Sequence, residues 1–83
     1  MKKSRAHFNV VLRPEPEGGF TAIVPALVGC VTYGKALAEA KKMAKDGISA
    51  YIESLKKHGE RIPNDDDSLV ASLDLEYAEA SRR

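Results

Sequence analysis

The stretch Gly18-Gly19-Phe20-Thr21-Ala22-Ile23-Val24-Pro25-Ala26-Leu27-Val28-Gly29-Cys30-Val31-Thr32-Tyr33-Gly34, running into the segment Lys35 to His58, decides the fold. Phe20, Ala22 and Val24 alternate with Thr21 and Ile23, the period of two expected of a strand with two unlike faces. Pro25 removes a ladder donor and stops that strand, Ala26 to Gly29 forms a connection, and the short β-prone run Cys30 to Tyr33 predicts another antiparallel strand. Upstream, Phe8, Val10 and Leu12 alternate within His7 to Arg13, and Pro14-Glu15-Pro16-Glu17-Gly18-Gly19 has the prolines and glycines of a turn. A hairpin extended into a three-stranded meander follows.

From Lys35 the period changes. Leu37, Ala40, Ala44, Ile48, Tyr51 and Leu55 recur every three or four residues and form one stripe of a helix, with most of the lysines off it. Gly59 marks the C-terminal stop, and Lys56, Lys57 and His58 place cations where the helix dipole favours them. The start is less well signalled. Ala36 stands three residues before Glu39, where a capping box wants Ser or Thr, so a frayed first turn is expected. Gly47 costs about 1 kcal/mol against Ala in mid-helix, which points to a close approach of the sheet there. After the polar linker Arg61 to Asp67, Leu69, Ala71, Leu73 and Leu75 alternate with Val70, Ser72, Asp74 and Glu76 as a final strand. The predicted order is β-β-β-α-β, an α+β two-layer sandwich in which one long helix packs on an antiparallel sheet.

The chain has 83 residues, of which 43% are hydrophobic, a size that suits one domain over residues 1–83, with a basic N-terminal tail at 1–6 and a C-terminal tail at 77–83. So small a domain buries only about 60–65% of its unfolded surface, which makes association into dimers or tetramers an expectation. With 13 basic and 12 acidic residues the net charge is +1, too little to draw the chain as a whole to nucleic acid or an anionic membrane. Neither a secretory leader nor a membrane span is expected, and a lone cysteine fits a reducing, cytoplasmic compartment.

The residues that could carry chemistry do not assemble into a site. His7 and His58 lie far apart and lack zinc-ligand spacing, so no metal centre is expected. Cys30 in a short strand reads as a small buried hydrophobe, and Asp65, Asp66 and Asp67 lack the alternate spacing and closing Glu of a calcium loop. Glycines 18, 19 and 29 precede strands, not a helix N-terminus, so they do not cradle phosphate. No cofactor and no catalytic residue are assigned. Lys41, Lys42, Lys45, Lys56 and Lys57 give the helix a basic outer face open to two readings, a solvated surface or a nucleic-acid contact. Tyr33 is the one aromatic that reads as exposed.

Taken in order, Gly-Gly-aromatic-Thr-Ala, Val-Pro-x-Leu, Gly-Cys-Val-Thr-x-Gly and Glu-Ala, with a helix ending near Gly59-Glu60-Arg61-Ile62-Pro63, resemble the HicB-like antitoxin family over roughly Val10 to Pro63. The residues carrying this signature are Gly19, Phe20, Pro25, Gly29, Cys30, Gly34, Glu39 and Ala40. The resemblance implies a partly degraded ribonuclease-H-like fold. It also implies a type II antitoxin, not an enzyme, that binds a HicA-like toxin and masks the surface with which that toxin cleaves messenger RNA. Glu15 and Glu17 in the first turn, with Asp65, Asp66 and Asp67 before the last strand, are the candidate toxin contacts, acting as phosphate mimics. The chain departs from the family pattern at Val28, where Pro is usual, and at Ala36, near which Ser or Thr is usual. It also ends at Arg83, where many members continue into an operator-binding segment, so direct DNA binding is not expected. Two alternatives stay beside the antitoxin reading: a nucleic-acid-binding regulator, and an orphan HicB-like protein without a toxin.

Overall fold

The strand signals read from the sequence close into a ladder in the computed structural model, which describes residues 4–80. Strands β1 (Val11–Pro14), β2 (Phe20–Ile23) and β3 (Val31–Gly34) form an antiparallel sheet in the order β1-β2-β3, followed by helix α1 (Leu37–Lys57). The register sets Val11, Ile23 and Val31 in one cross-strand row, Leu12, Ala22 and Thr32 in the next, and Arg13, Thr21 and Tyr33 in the third. Strand residues therefore alternate between a face under the helix, with Leu12, Ala22 and Thr32, and an outer face that no other element among the described residues covers. The architecture is α+β.

The buried core is small in side-chain volume. Ala22, Val24, Leu27, Cys30, Ala40 and Ala44 are its buried apolar members, and Phe8, Val10, Ile48, Tyr51 and Leu55 pack partly buried around Val24, Leu27 and Cys30. Small residues let backbone approach backbone. At Gly34 an added Cβ would fall on the backbone of Ala40 and Glu39, so the helix begins in direct contact with β3. At Gly47 an added Cβ would lie 3.1 Å from the Thr32 methyl and 3.7 Å from Cys30 Sγ, so the mid-helix glycine is where α1 rests on β3. That is the physical reason expected for it.

The helix ends are held differently from one another. At the start Ala36 offers no side-chain cap, but Glu39 Oε1 accepts the N–H of Lys35, the residue before the N-cap, at 2.6 Å and so ties the chain entering the helix to its first turn. At the end, Glu60 N–H donates to Leu55 O at 2.8 Å and Gly59 N–H to Lys56 O at 3.1 Å, the paired bonds of a Schellman stop. Within the predicted apolar stripe, Ala40 and Ala44 are buried, whereas Leu37 stands about half exposed at the edge of the first turn.

The expected final strand does not form within the single chain. Residues 69–80 belong to no helix or strand, and Leu69, Leu73 and Leu75 are 96%, 84% and 83% exposed. Alternation prescribes which side chains share a face, but a strand also needs a ladder partner, and the chain as folded brings none to this segment. The molecule accordingly extends 66 Å along its longest axis, against 29 and 20 Å across it.

Candidate partner-binding surface

Three features define the exposed surface around the sheet. The first is the outer face, where Val11, Val31 and Tyr33 are each about half exposed in neighbouring rows of the ladder. Tyr33 Oη donates to Gly18 O at 2.9 Å, so its ring lies over the sheet toward the β1–β2 turn. Tyr33 is not the sole exposed aromatic, because Tyr77 in the C-terminal segment is more exposed still. The second is the β1–β2 turn at one end of the sheet. Its Glu15 carboxylate accepts the Thr21 hydroxyl at 2.6 Å and lies 3.7 Å from Arg13 Nε, while Glu17 is exposed.

The third is the linker carrying Asp65, Asp66 and Asp67, which lies toward the opposite end of the sheet. Asp65 N–H donates to His7 O at 2.7 Å and Asp65 Oδ2 accepts the Asn9 N–H at 2.8 Å, so this aspartate, 7% exposed, ties the linker to the approach to β1. Asp66 N–H donates to Asn64 Oδ1 at 2.9 Å, and Ser68 N–H to Asp65 O at 3.0 Å, closing a turn. Asp66 and Asp67 themselves face solvent. The five acidic residues singled out in the sequence thus fall into two groups separated by the length of β1. Within them, the side chains of Glu17, Asp66 and Asp67 face solvent without a partner among the described residues, and Glu15 and Asp65 are engaged in holding a turn and a linker.

Three of the signature residues lie at the contact of helix and sheet. Gly34 and Ala40 meet where the helix leaves the sheet, and Cys30 closes the core beneath Gly47. Burial raises the Cys30 thiol above its ordinary pKa, which suits packing and disfavours nucleophilic attack. Tyr51 Oη donates to Val28 O at 2.8 Å, so the connection between β2 and β3 is pinned to the helix. This tie was not foreseen in the sequence, although a tyrosine on an otherwise aliphatic stripe is the kind of residue whose hydroxyl needs a nearby acceptor. The helix lysines are interleaved with acids: Lys42 Nζ lies 3.4 Å from Asp46 and Lys56 Nζ lies 3.8 Å from Glu53. Among the described residues no group of three or more His, Cys, Asp or Glu is placed to hold a metal ion, and no helix is long and apolar enough to cross a membrane.

Known proteins share this arrangement of residues. Over residues 8–81 the chain matches the family described as HicB_like antitoxin of bacterial toxin-antitoxin system. It is 48% identical over 58 residues to a UPF0150 protein of Thermoplasma acidophilum, covering 70% of this chain and 84% of that protein. A UPF0150 protein of Synechocystis is 35% identical over 60 residues, 72% of this chain and 76% of that one, and a UPF0150 protein of Helicobacter pylori is 31% identical over 70 residues, 84% and 96%. With Gly34 and Ala40 of the signature meeting where the helix leaves the sheet, and a family match spanning sheet, helix and linker, this chain belongs to the HicB-like antitoxin family.

Proposed function

We propose that the chain binds and neutralises a HicA-type toxin in the cytoplasm by covering the surface with which that toxin cleaves messenger RNA. The carrying observation is membership of an antitoxin family in a molecule whose sheet has one face under a helix and the other open, with Val11, Val31 and Tyr33 exposed on it. An open sheet face with apolar centres and a charged border is a surface on which a small protein could dock. In this reading Glu17, Asp66 and Asp67 steer a basic toxin, whereas Glu15 and Asp65 act indirectly, by fixing the turn and the linker that carry those charges. The role is regulatory and the inhibition steric and electrostatic.

The test is co-expression with a HicA-type toxin, read as rescue of growth and as co-purification. Rescue by the parent chain, weakened by Val31→Asp together with Tyr33→Glu, is the expected result. Absence of both rescue and co-purification for the parent chain overturns the reading. Charge reversal at Glu17, Asp66 and Asp67 is expected to slow association and to steepen none of its salt dependence. Unchanged association rates would remove the acidic groups from the mechanism.

A further inference from the structure

The sheet lacks a strand on one side, and the C-terminal segment is a strand without a sheet. Helix α1 packs chiefly on β3 and then on β2, so its other flank overhangs the β1 side with little beneath it. There a cleft of about 300 Å³ is lined by Ala6, Phe8, Val10, Ala44 and Ile48, with the stems of Lys41 and Lys45 at its rim. Among the described residues, the edge of β1 that borders this cleft is unpaired. Val24 N–H donates to Cys30 O, which turns the even-numbered backbone groups of β2 toward β3 and the odd ones toward β1. Val11 and Arg13, opposite Ile23 and Thr21, therefore point their backbone groups inward, and those of Val10 and Leu12 point out at the free edge. Edge groups of this kind accept an added strand.

The segment 69–77 has the matching form. Leu69, Ala71, Leu73, Leu75 and Tyr77 share one face when extended, and Asp74 and Glu76 fall on the other. Laid along β1 with its leucines in the cleft, it sets those acids on the outer face, where Arg13 of β1 also projects. Apolar and charged faces are then complementary at once.

Asp65 bonds to His7 O and Asn9 N, the odd-numbered groups that continue the inner side of β1, and the turn to Ser68 follows directly. Beyond that turn residues 69–77 lie exposed and leave the edge of their own β1 empty. A second copy presents the same edge and the same unpaired segment, and a two-fold pair fills both clefts by one exchange. We infer that two copies of this chain exchange residues 69–77, each segment pairing with β1 of the other copy as the fourth strand of its sheet and filling the cleft beside α1. Asp65 is the anchor from which the exchanged strand departs. β3 is the poorer acceptor, because the helix already closes its flank.

The full chain tests this without any partner. Light scattering on eluted protein is expected to give twice the 9.0 kDa of one chain, and Leu73→Asp with Leu75→Asp is expected to halve that mass while the helical circular dichroism persists. Isotope-labelled and unlabelled chains, unfolded and refolded together, are expected to show filtered nuclear Overhauser contacts between Leu73 methyls and Val10 of the other copy. A monomeric parent chain overturns the inference, whether its tail stays open or folds back on its own sheet. So does a dimer whose Leu73–Val10 contacts all lie within one chain, or one whose mass survives in the double variant. The filtered contacts, measured on the parent chain, decide the matter even where the variant fails to fold.

Discussion

The helix–sheet layer and the C-terminal segment invert the usual placement of apolar side chains. Beneath α1, where burial is complete, the residues are mostly small: Ala22, Ala40 and Ala44, with Val24, Leu27 and Cys30. Over residues 69–80, where no residue is buried, stand Leu69, Val70, Leu73, Leu75 and Tyr77. Hydrophobicity alone does not place a residue inside; a side chain is buried when a second surface is there to meet it, and the layer found its second surface within the chain. The layer also shows what close contact demands, namely side chains small enough for the helix to touch the strand.

If closeness holds the layer together, the most damaging change is one that separates it. Gly34→Ala puts a methyl onto the backbone of Ala40 and Glu39, where no rotamer change relieves it, and is expected to cost about 3 kcal/mol in urea unfolding. Leu27, one of the two largest fully buried side chains, tests the volume side of the same comparison. Leu27→Ala is expected to lose about 3 kcal/mol at every protein concentration. Leu73→Ala is expected instead to lower the midpoint by an amount that grows with protein concentration, since its burial depends on a second copy. Equal, concentration-independent losses at the two positions would erase the distinction between the regions.

Two smaller effects probe the layer from inside. Thr32 Oγ1 is buried under the helix with no hydrogen-bond partner among the described residues, so Thr32→Val, which keeps the shape and removes the orphan hydroxyl, is expected to stabilise by about 1 kcal/mol in the same assay. Cys30 gives the smallest effect and the one that depends on pH. Its thiol pKa is raised in the folded state above the ordinary 9.0, so its neutral form supports folding fully below that value. As pH climbs above 9.0 the unfolded chain ionises first and that support is lost. Unfolding midpoints of the parent chain are therefore expected to fall more between pH 8 and pH 10 than those of Cys30→Ala.

Much of the layer was legible because it rests on local rules. Period two over Phe20 to Val24 and period three to four from Ala40 to Leu55 each correspond to one geometry, and Gly47 in mid-helix signalled close contact before the contact was visible. The final strand was legible only as a face. Its alternation says that Leu69, Leu73 and Leu75 point together, but a ladder partner is a long-range fact that no spacing encodes. Asp65 illustrates the same limit at the scale of one residue. Beside Asp66 and Asp67 it is chemically identical, and only the positions of His7 O and Asn9 N make it a buried anchor while its neighbours face water.

The smallness of the side chains beneath α1 has a thermal consequence. A layer built by bringing backbones together hides less hydrocarbon per residue than one built from leucines and phenylalanines, and it is exposed hydrocarbon that raises the heat capacity on unfolding. The single chain should therefore fall below the roughly 12–15 cal/mol/K per residue typical of globular domains, giving a shallow, broad curve of stability against temperature. Covering the leucines of the tail would sharpen that curve, so the molecule's response to heat becomes a measure of how many of its surfaces are occupied.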